Sequence, residues 1–124
     1  MTNARSDARR RRLLLHVGLP KTGTSALQRW LHENPARLEA AGICYPGAPY
    51  LNGDKHQFLV SELRHGGQSL ERLLSSTTHD TVLLSSEGLS NHFHDFSEQG
   101  LQRFRHLTAN FRVEIVLVTR EKTA

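Results

Sequence analysis

The stretch LLLHVGLPKTGTSALQRWL, residues 13 to 31, constrains the fold more than any other part of the chain. Leu13 to Val17 is a continuous apolar-rich run ending at Gly18, the pattern of a strand covered on both faces. Thr24 or Ser25 then offers an N-cap for a helix in which Ala26, Leu27, Trp30 and Leu31 share one side. A strand that passes through a glycine loop into a helix opens a parallel α/β unit. The loop's backbone N–H groups and the positive end of the helix form a cradle for an anion.

The rest of the chain alternates in the same way. Asn34-Pro35 stops the first helix and starts another, which Gly42 closes. ICYPGAPYLNG is a short extended piece followed by a turn-rich loop. His56, Leu59, Val60 and Leu63 follow helical spacing until HGG breaks it at 65 to 67, and Leu70, Leu73 and Leu74 mark a further short helix. TVLLSS, 81 to 86, is a second buried strand. Ser97 caps a helix carrying Leu101, Phe104 and Leu107, and VEIVLVT, 113 to 119, is a third strong strand. Strands alternating with helices predict an α/β fold, a parallel sheet with right-handed crossovers and flanking helices. After the last strand only five residues follow, so the sheet is expected to be incomplete at its C-terminal side.

The 124 residues suit one domain, and 37% hydrophobic with 23% charged residues is a globular composition. The formal charge is +4, but Arg5, Arg9, Arg10, Arg11 and Arg12 crowd the first twelve residues. Residues 1 to 12 are therefore expected to be a basic, disordered arm, with the α/β unit over 13 to 124. Nucleic-acid binding by the arm is the weaker alternative. The apolar stretch after the arginines is too short for a secretory signal, and no segment approaches a membrane span. The single Cys44 supplies neither a disulfide framework nor zinc-ligand spacing. These features point to a cytoplasmic protein. Its oligomeric state is open.

Gly18 and Gly23 enclose four residues, as in the G-x-x-x-x-G-K-[ST] loop of nucleoside-triphosphate enzymes. The lysine that should follow the second glycine is replaced by Thr24, and the nearby cation, Lys21, lies inside the loop. The cradle is kept while its cation has moved. Thr22, Thr24 and Ser25 add hydroxyls to the backbone donors.

GLPKTGTSALQ resembles the 5′-phosphosulfate loop of sulfotransferases that use 3′-phosphoadenosine-5′-phosphosulfate (PAPS), with a contiguous match from Pro20 to Ser25. VEIVLVTRE is similar to the family's strand that ends in an arginine contacting the 3′-phosphate, which makes Arg120 the matching residue. VLLSSEGLSNHF resembles the strand and turn that carry the catalytic carboxylate of glycosaminoglycan-type members, with Glu87 in the corresponding place and Gly88 replacing the usual lysine or serine.

The resemblance implies a P-loop-like sheet and spans only the N-terminal half of the family's domain. It also implies PAPS as cofactor, with no metal, and a nucleotide cosubstrate and a hydroxyl or amine acceptor as partners. Carbohydrate is favoured through the segment around Glu87. Gly18, Pro20, Lys21, Thr22, Gly23, Thr24, Ser25 and Arg120 would bind the cofactor. Lys21 would neutralise the leaving phosphate and Glu87 would take the acceptor's proton, with burial expected to raise its pKa toward the working range. His56 is the rival base, because other branches of the family use histidine, although its helical register favours packing. His92 and His94 stand two apart, yet no carboxylate or cysteine pattern completes a metal site. Two alternatives remain: a P-loop NTPase or kinase-like nucleotide-binding protein, and a non-catalytic nucleotide-binding fragment.

Overall fold

A computed structural model describes residues 10–18 and 24–117, with only the backbone described at Thr24 and Ser25. The apolar runs become strands and the periodic segments become helices: β1 (Arg11–His16), α1 (Thr24–Glu33), α2 (Pro35–Ala40), β2 (Ile43–Cys44), α3 (Gln57–His65), α4 (Ser69–Ser76), β3 (Thr81–Ser85), α5 (Gly88–Asn91), a 3-10 turn (Phe93–Asp95), α6 (Glu98–Leu107) and β4 (Phe111–Val116). The fold is α/β, with one four-stranded sheet of order β2-β3-β1-β4 and every pairing parallel.

Central β1 sets the register. Leu13 lies opposite Val82 on one side and Val113 on the other, and Leu15 opposite Leu84 and Ile115. Because side chains alternate across a strand, these residues share one face, where α3, α4 and α6 pack. Leu13, Val82 and Leu84 are fully buried there against Leu59, Leu63, Leu70 and Leu73. His16 and Ser85 are paired in register on the opposite face, where Gln28 of α1 meets them. The chain crosses the sheet in one direction from β1 to β2 and in the other from β2 to β3 and from β3 to β4. Right-handed crossovers put the connecting helices on opposite faces for opposite directions, which is the distribution found.

Local chemistry fixes the helix ends. Ser97 caps α6 as its spacing predicts, its Oγ accepting from the Gly100 N–H at 2.9 Å. The Leu63 carbonyl at the end of α3 accepts from the Ser97 N–H at 2.9 Å, so α3 delivers the start of α6. Glu62 accepts from the Ser69 and Leu70 N–H groups at the start of α4, where a negative charge is favoured.

Two expectations need correction. Arg11 and Arg12, expected to belong to a disordered arm, lie in β1, which begins at Arg11. The Arg11 guanidinium donates to the carbonyls of His79 and Thr77 at 2.8 and 3.0 Å and lies over the Phe111 ring. Arg12 forms a two-pronged pair with Glu114. These arginines close the sheet's leading end. The third strand, expected over 113 to 119, starts at Phe111 and ends at Val116, with 118 and 119 outside the described residues, and it lies at the sheet edge with Ile115 61% exposed and Leu117, just past it, 52% exposed. No helix among the described residues is long and apolar enough to cross a membrane.

Close packing between α3 and α6 yields a direct test. A methyl group on Gly100 would stand 2.4 Å from the Leu63 carbonyl oxygen, backbone that cannot swing aside. Gly100→Ala should cost about 1–3 kcal/mol in urea unfolding, the usual scale of overpacking. Gly47→Ala, at a site with nothing within 4 Å, should be near neutral.

Candidate functional site

In a parallel sheet the strand ends that point the same way form a common rim, and here the ends of β1 and β3 meet there. Gly18 follows β1 at φ 116, a conformation that strains any residue with a Cβ, and it is buried. The glycine is required by backbone shape. Ser86 N–H donates to the His16 carbonyl at 3.0 Å, and Ser90 Oγ donates to the Val17 carbonyl, so the turn after β3 is stitched to the end of β1.

Glu87 follows β3 directly, at the N-cap of α5. Its Oε1 accepts from Lys55 Nζ at 2.8 Å and its Oε2 from Gln28 Nε2 at 3.1 Å. Gln28 Nε2 also donates to Ser85 Oγ at 2.9 Å, and that hydroxyl pairs with His16 Nδ1 at 2.8 Å. Lys55, Glu87, Gln28, Ser85 and His16 thus form one continuous chain of polar contacts across four segments.

Burial pushes the Glu87 carboxyl up, as the sequence suggested, but hydrogen bonds from Lys55 and Gln28 outweigh it and hold the group below the usual carboxylate range. The expected rise is therefore corrected: Glu87 is an ion-paired carboxylate, fully ionised at neutral pH. His16 is shifted down by burial, with Glu87 opposing weakly, so the imidazole is neutral. Its Nε2 is buried with no hydrogen-bond partner among the described residues.

His56 occupies a different role. It is 1% exposed, its Nε2 donates to the Pro46 carbonyl at 2.7 Å, and its Nδ1 accepts from the Ser85 N–H at 3.0 Å. Both ring nitrogens are committed to backbone, and burial pushes its pKa down to about 4. His56 pins the end of β3 to the loop after β2. His92 and His94 each lie 3.7 Å from Asp95 on the surface, and no group of metal-ligating side chains occurs among the described residues.

Pro20, Lys21, Thr22, Gly23 and Arg120 lie outside the described residues. Thr24 and Ser25 open α1. Sequence reasoning missed Lys55, Gln28, Ser85 and His16. Gln28 had a faint signal, one helical turn after Thr24, and Ser85 stood in the polar run that ends an apolar strand. Lys55 and His16 had none. Comparisons with protein-family models, curated proteins and solved structures give no match, so the site rests on its geometry.

A buried neutral histidine predicts acid sensitivity. The folded pKa of His56 lies below the unfolded value of about 6.5, so its contribution is complete above that pH and is lost as pH falls toward about 4. At about 1.4 kcal/mol per pKa unit, the loss is of order 3 kcal/mol. His16 and Glu87, also shifted down, act in the same direction. Unfolding free energies from pH 7.5 to 4 should fall steeply for the parent and less steeply for His56→Gln. Parallel slopes would show that His56 is protonated equally in both states.

Proposed function

We propose that this chain binds PAPS and accepts the proton in sulfuryl transfer to a hydroxyl-bearing acceptor. The main support is the hydrogen bond from Gln28 to Glu87. It joins the helix after the glycine loop to the turn after β3, the two segments whose motifs independently resemble those of sulfotransferases. A P-loop-like reading of the fold draws support from the strand order, with the glycine turn leaving central β1 between β3 and β4.

The residues around this rim suit an anionic donor. Gly18 brings backbone close without side-chain obstruction, α1 presents its positive end next in the chain, and the buried His16 Nε2 has no partner among the described residues. When bound, PAPS supplies an activated sulfuryl group, whose sulfur is attacked in line by the acceptor oxygen as the bond to the bridging phosphate oxygen breaks.

Glu87 takes the acceptor's proton. Lys55 and Gln28 fix both carboxylate oxygens, and each oxygen keeps a further lone pair for the acceptor hydroxyl. The ion pair keeps Glu87 deprotonated and aimed, at the expense of basicity, which suits proton transfer late in the step. Lys21, Thr22, Thr24 and Ser25 hold the phosphate side, with Lys21 balancing the charge that develops on the leaving oxygen. His56 contributes by holding β3 rather than by touching the acceptor.

Thermal melts with 3′-phosphoadenosine-5′-phosphate and, separately, with ATP and Mg²⁺ test this reading. The 3′-phosphorylated nucleotide should raise the melting temperature, at 100 times Kd by an equivalent of about 2.7 kcal/mol, and Lys21→Ala should abolish the rise. Glu87→Gln should keep the rise and lose about 10²–10⁴-fold in turnover. A rise with ATP and Mg²⁺ alone would replace this reading with a nucleoside-triphosphate one.

A further inference from the structure

Among the described residues β4 pairs with β1 alone, so its other edge carries backbone groups with no strand beside it. The Val17 N–H donates to the Val116 carbonyl at 3.1 Å, which turns Val116, and by alternation Glu114 and Arg112, toward β1. Phe111, Val113 and Ile115 therefore aim their backbone groups outward. The Phe111 N–H turns back to the Thr108 carbonyl at 2.9 Å, which leaves its carbonyl on the edge. A free edge of this kind is a template for another strand.

Apolar exposure alone would not choose that strand, but the charges do. A second copy of β4 lying antiparallel meets the first across a two-fold axis, and each such register is defined by the residue on the axis. Centred on Arg112 or on Glu114, the pairing sets like charges directly opposite each other, which is destabilising. Centred on Ile115, it sets Glu114 opposite Val116 and gains no ion pair. Centred on Val113, it sets Arg112 opposite Glu114 of the second copy and, by symmetry, Glu114 opposite Arg112 of the second copy. These are the non-hydrogen-bonded positions, where facing side chains come closest.

Backbone and side chains both suit that register. Val113 meets Val113 and exchanges both of its backbone hydrogen bonds, while the Ile115 N–H reaches the Phe111 carbonyl of the second copy. Ile115, largely exposed in the single chain, then gains a neighbour on the apolar face. Glu114 accepts from Arg12 on both oxygens and from Arg112 Nε on Oε1, so its Oε2 keeps a lone pair, and Arg112 keeps its terminal nitrogens.

We propose that β4 is the interface of a two-fold homodimer, in which two copies of this chain join as antiparallel strands centred on Val113 and their sheets run on as one. The joint lies across β1 from β3, away from the strand end that carries Glu87, and the inference does not rest on the sulfuryl-transfer reading.

Sedimentation equilibrium of the full chain, from micromolar to millimolar concentration, tests this. The parent should pass from monomer to dimer and stop there, since a two-fold contact closes on itself. Arg112→Glu, which sets like charges opposite at both positions, should weaken association about tenfold or more. Adding Glu114→Arg to it exchanges the charges and should restore association, a rescue that the Val113-centred register supplies. Val113→Pro removes an outward N–H, a change tolerated on a free edge, and should leave a folded monomer. In a mixture of ¹³C-labelled and unlabelled chains, isotope-filtered spectra of the parent should show an Hα–Hα contact between Arg112 and Glu114 of different copies. That contact decides the register even where a variant does not fold. A parent that stays monomeric at every concentration, its edge taken by another segment or kept for a different partner, would overturn the proposal. A dimer that survives Arg112→Glu or Val113→Pro, or that lacks the Arg112–Glu114 contact, would lie on another surface or in another register and would overturn it too.

Discussion

The structure depends on β1 being hydrogen-bonded along both edges. A strand paired on both sides and covered on both faces has to be apolar where helices pack and polar only where a partner waits, and residues 11 to 16 meet that requirement at every position. Leu13 and Leu15 face the α3–α4–α6 layer, while Arg11 and Arg12 find carbonyls and a carboxylate at the entry. His16, at the exit, faces Ser85. Fixing β1 between β3 and β4 also fixes where the chain emerges: Gly18 and Glu87 reach the same rim because parallel pairing brings His16 level with Ser85.

At that rim, polar groups replace apolar packing. Ser85 and Ser86 are fully buried, as is His56, and each is satisfied by a hydrogen bond. A network of this kind adds little net stability compared with an apolar core, but a missing member leaves its neighbours unpaired, so it selects one geometry strongly. His56 illustrates the division of labour. It spends both nitrogens on backbone and becomes a neutral pin, while Glu87 carries its charge in an ion pair with Lys55.

Much of this fold was legible in the sequence because it is written in local signals. Continuous apolar runs, helical spacing, the Asn34-Pro35 break and the Ser97 cap each depend on neighbours within a few residues, and α2 and α6 begin where the last two signals place them. The candidate site was legible only in part. Glu87 stood out through its motif and position after a strand, but its electrostatics did not, because the Lys55 and Gln28 contacts that reverse the effect of burial come from residues 32 and 59 positions away. The boundary of the basic arm failed for a related reason. Arginine reads as solvated until the Thr77 and His79 carbonyls that hold Arg11, 66 and 68 positions on, are brought beside it.

The edge strand and the His16 imidazole, whose Nε2 has no partner among the described residues, expose two demands with different physics. β4 exposes Ile115 beside Arg112 and Glu114, with Leu117 exposed just past its end, and apolar exposure is non-directional: any apolar surface that covers it lowers the free energy by roughly the area removed from water. The buried Nε2 of His16, without a partner among the described residues, is directional, since only a group at hydrogen-bond distance along the ring-nitrogen axis satisfies it. The first therefore specifies little about what meets it, whereas the second specifies distance and angle. The end of β1, rather than the edge of the sheet, therefore defines the candidate site, and Gln28, which donates to both Ser85 and Glu87, ties its two sides together.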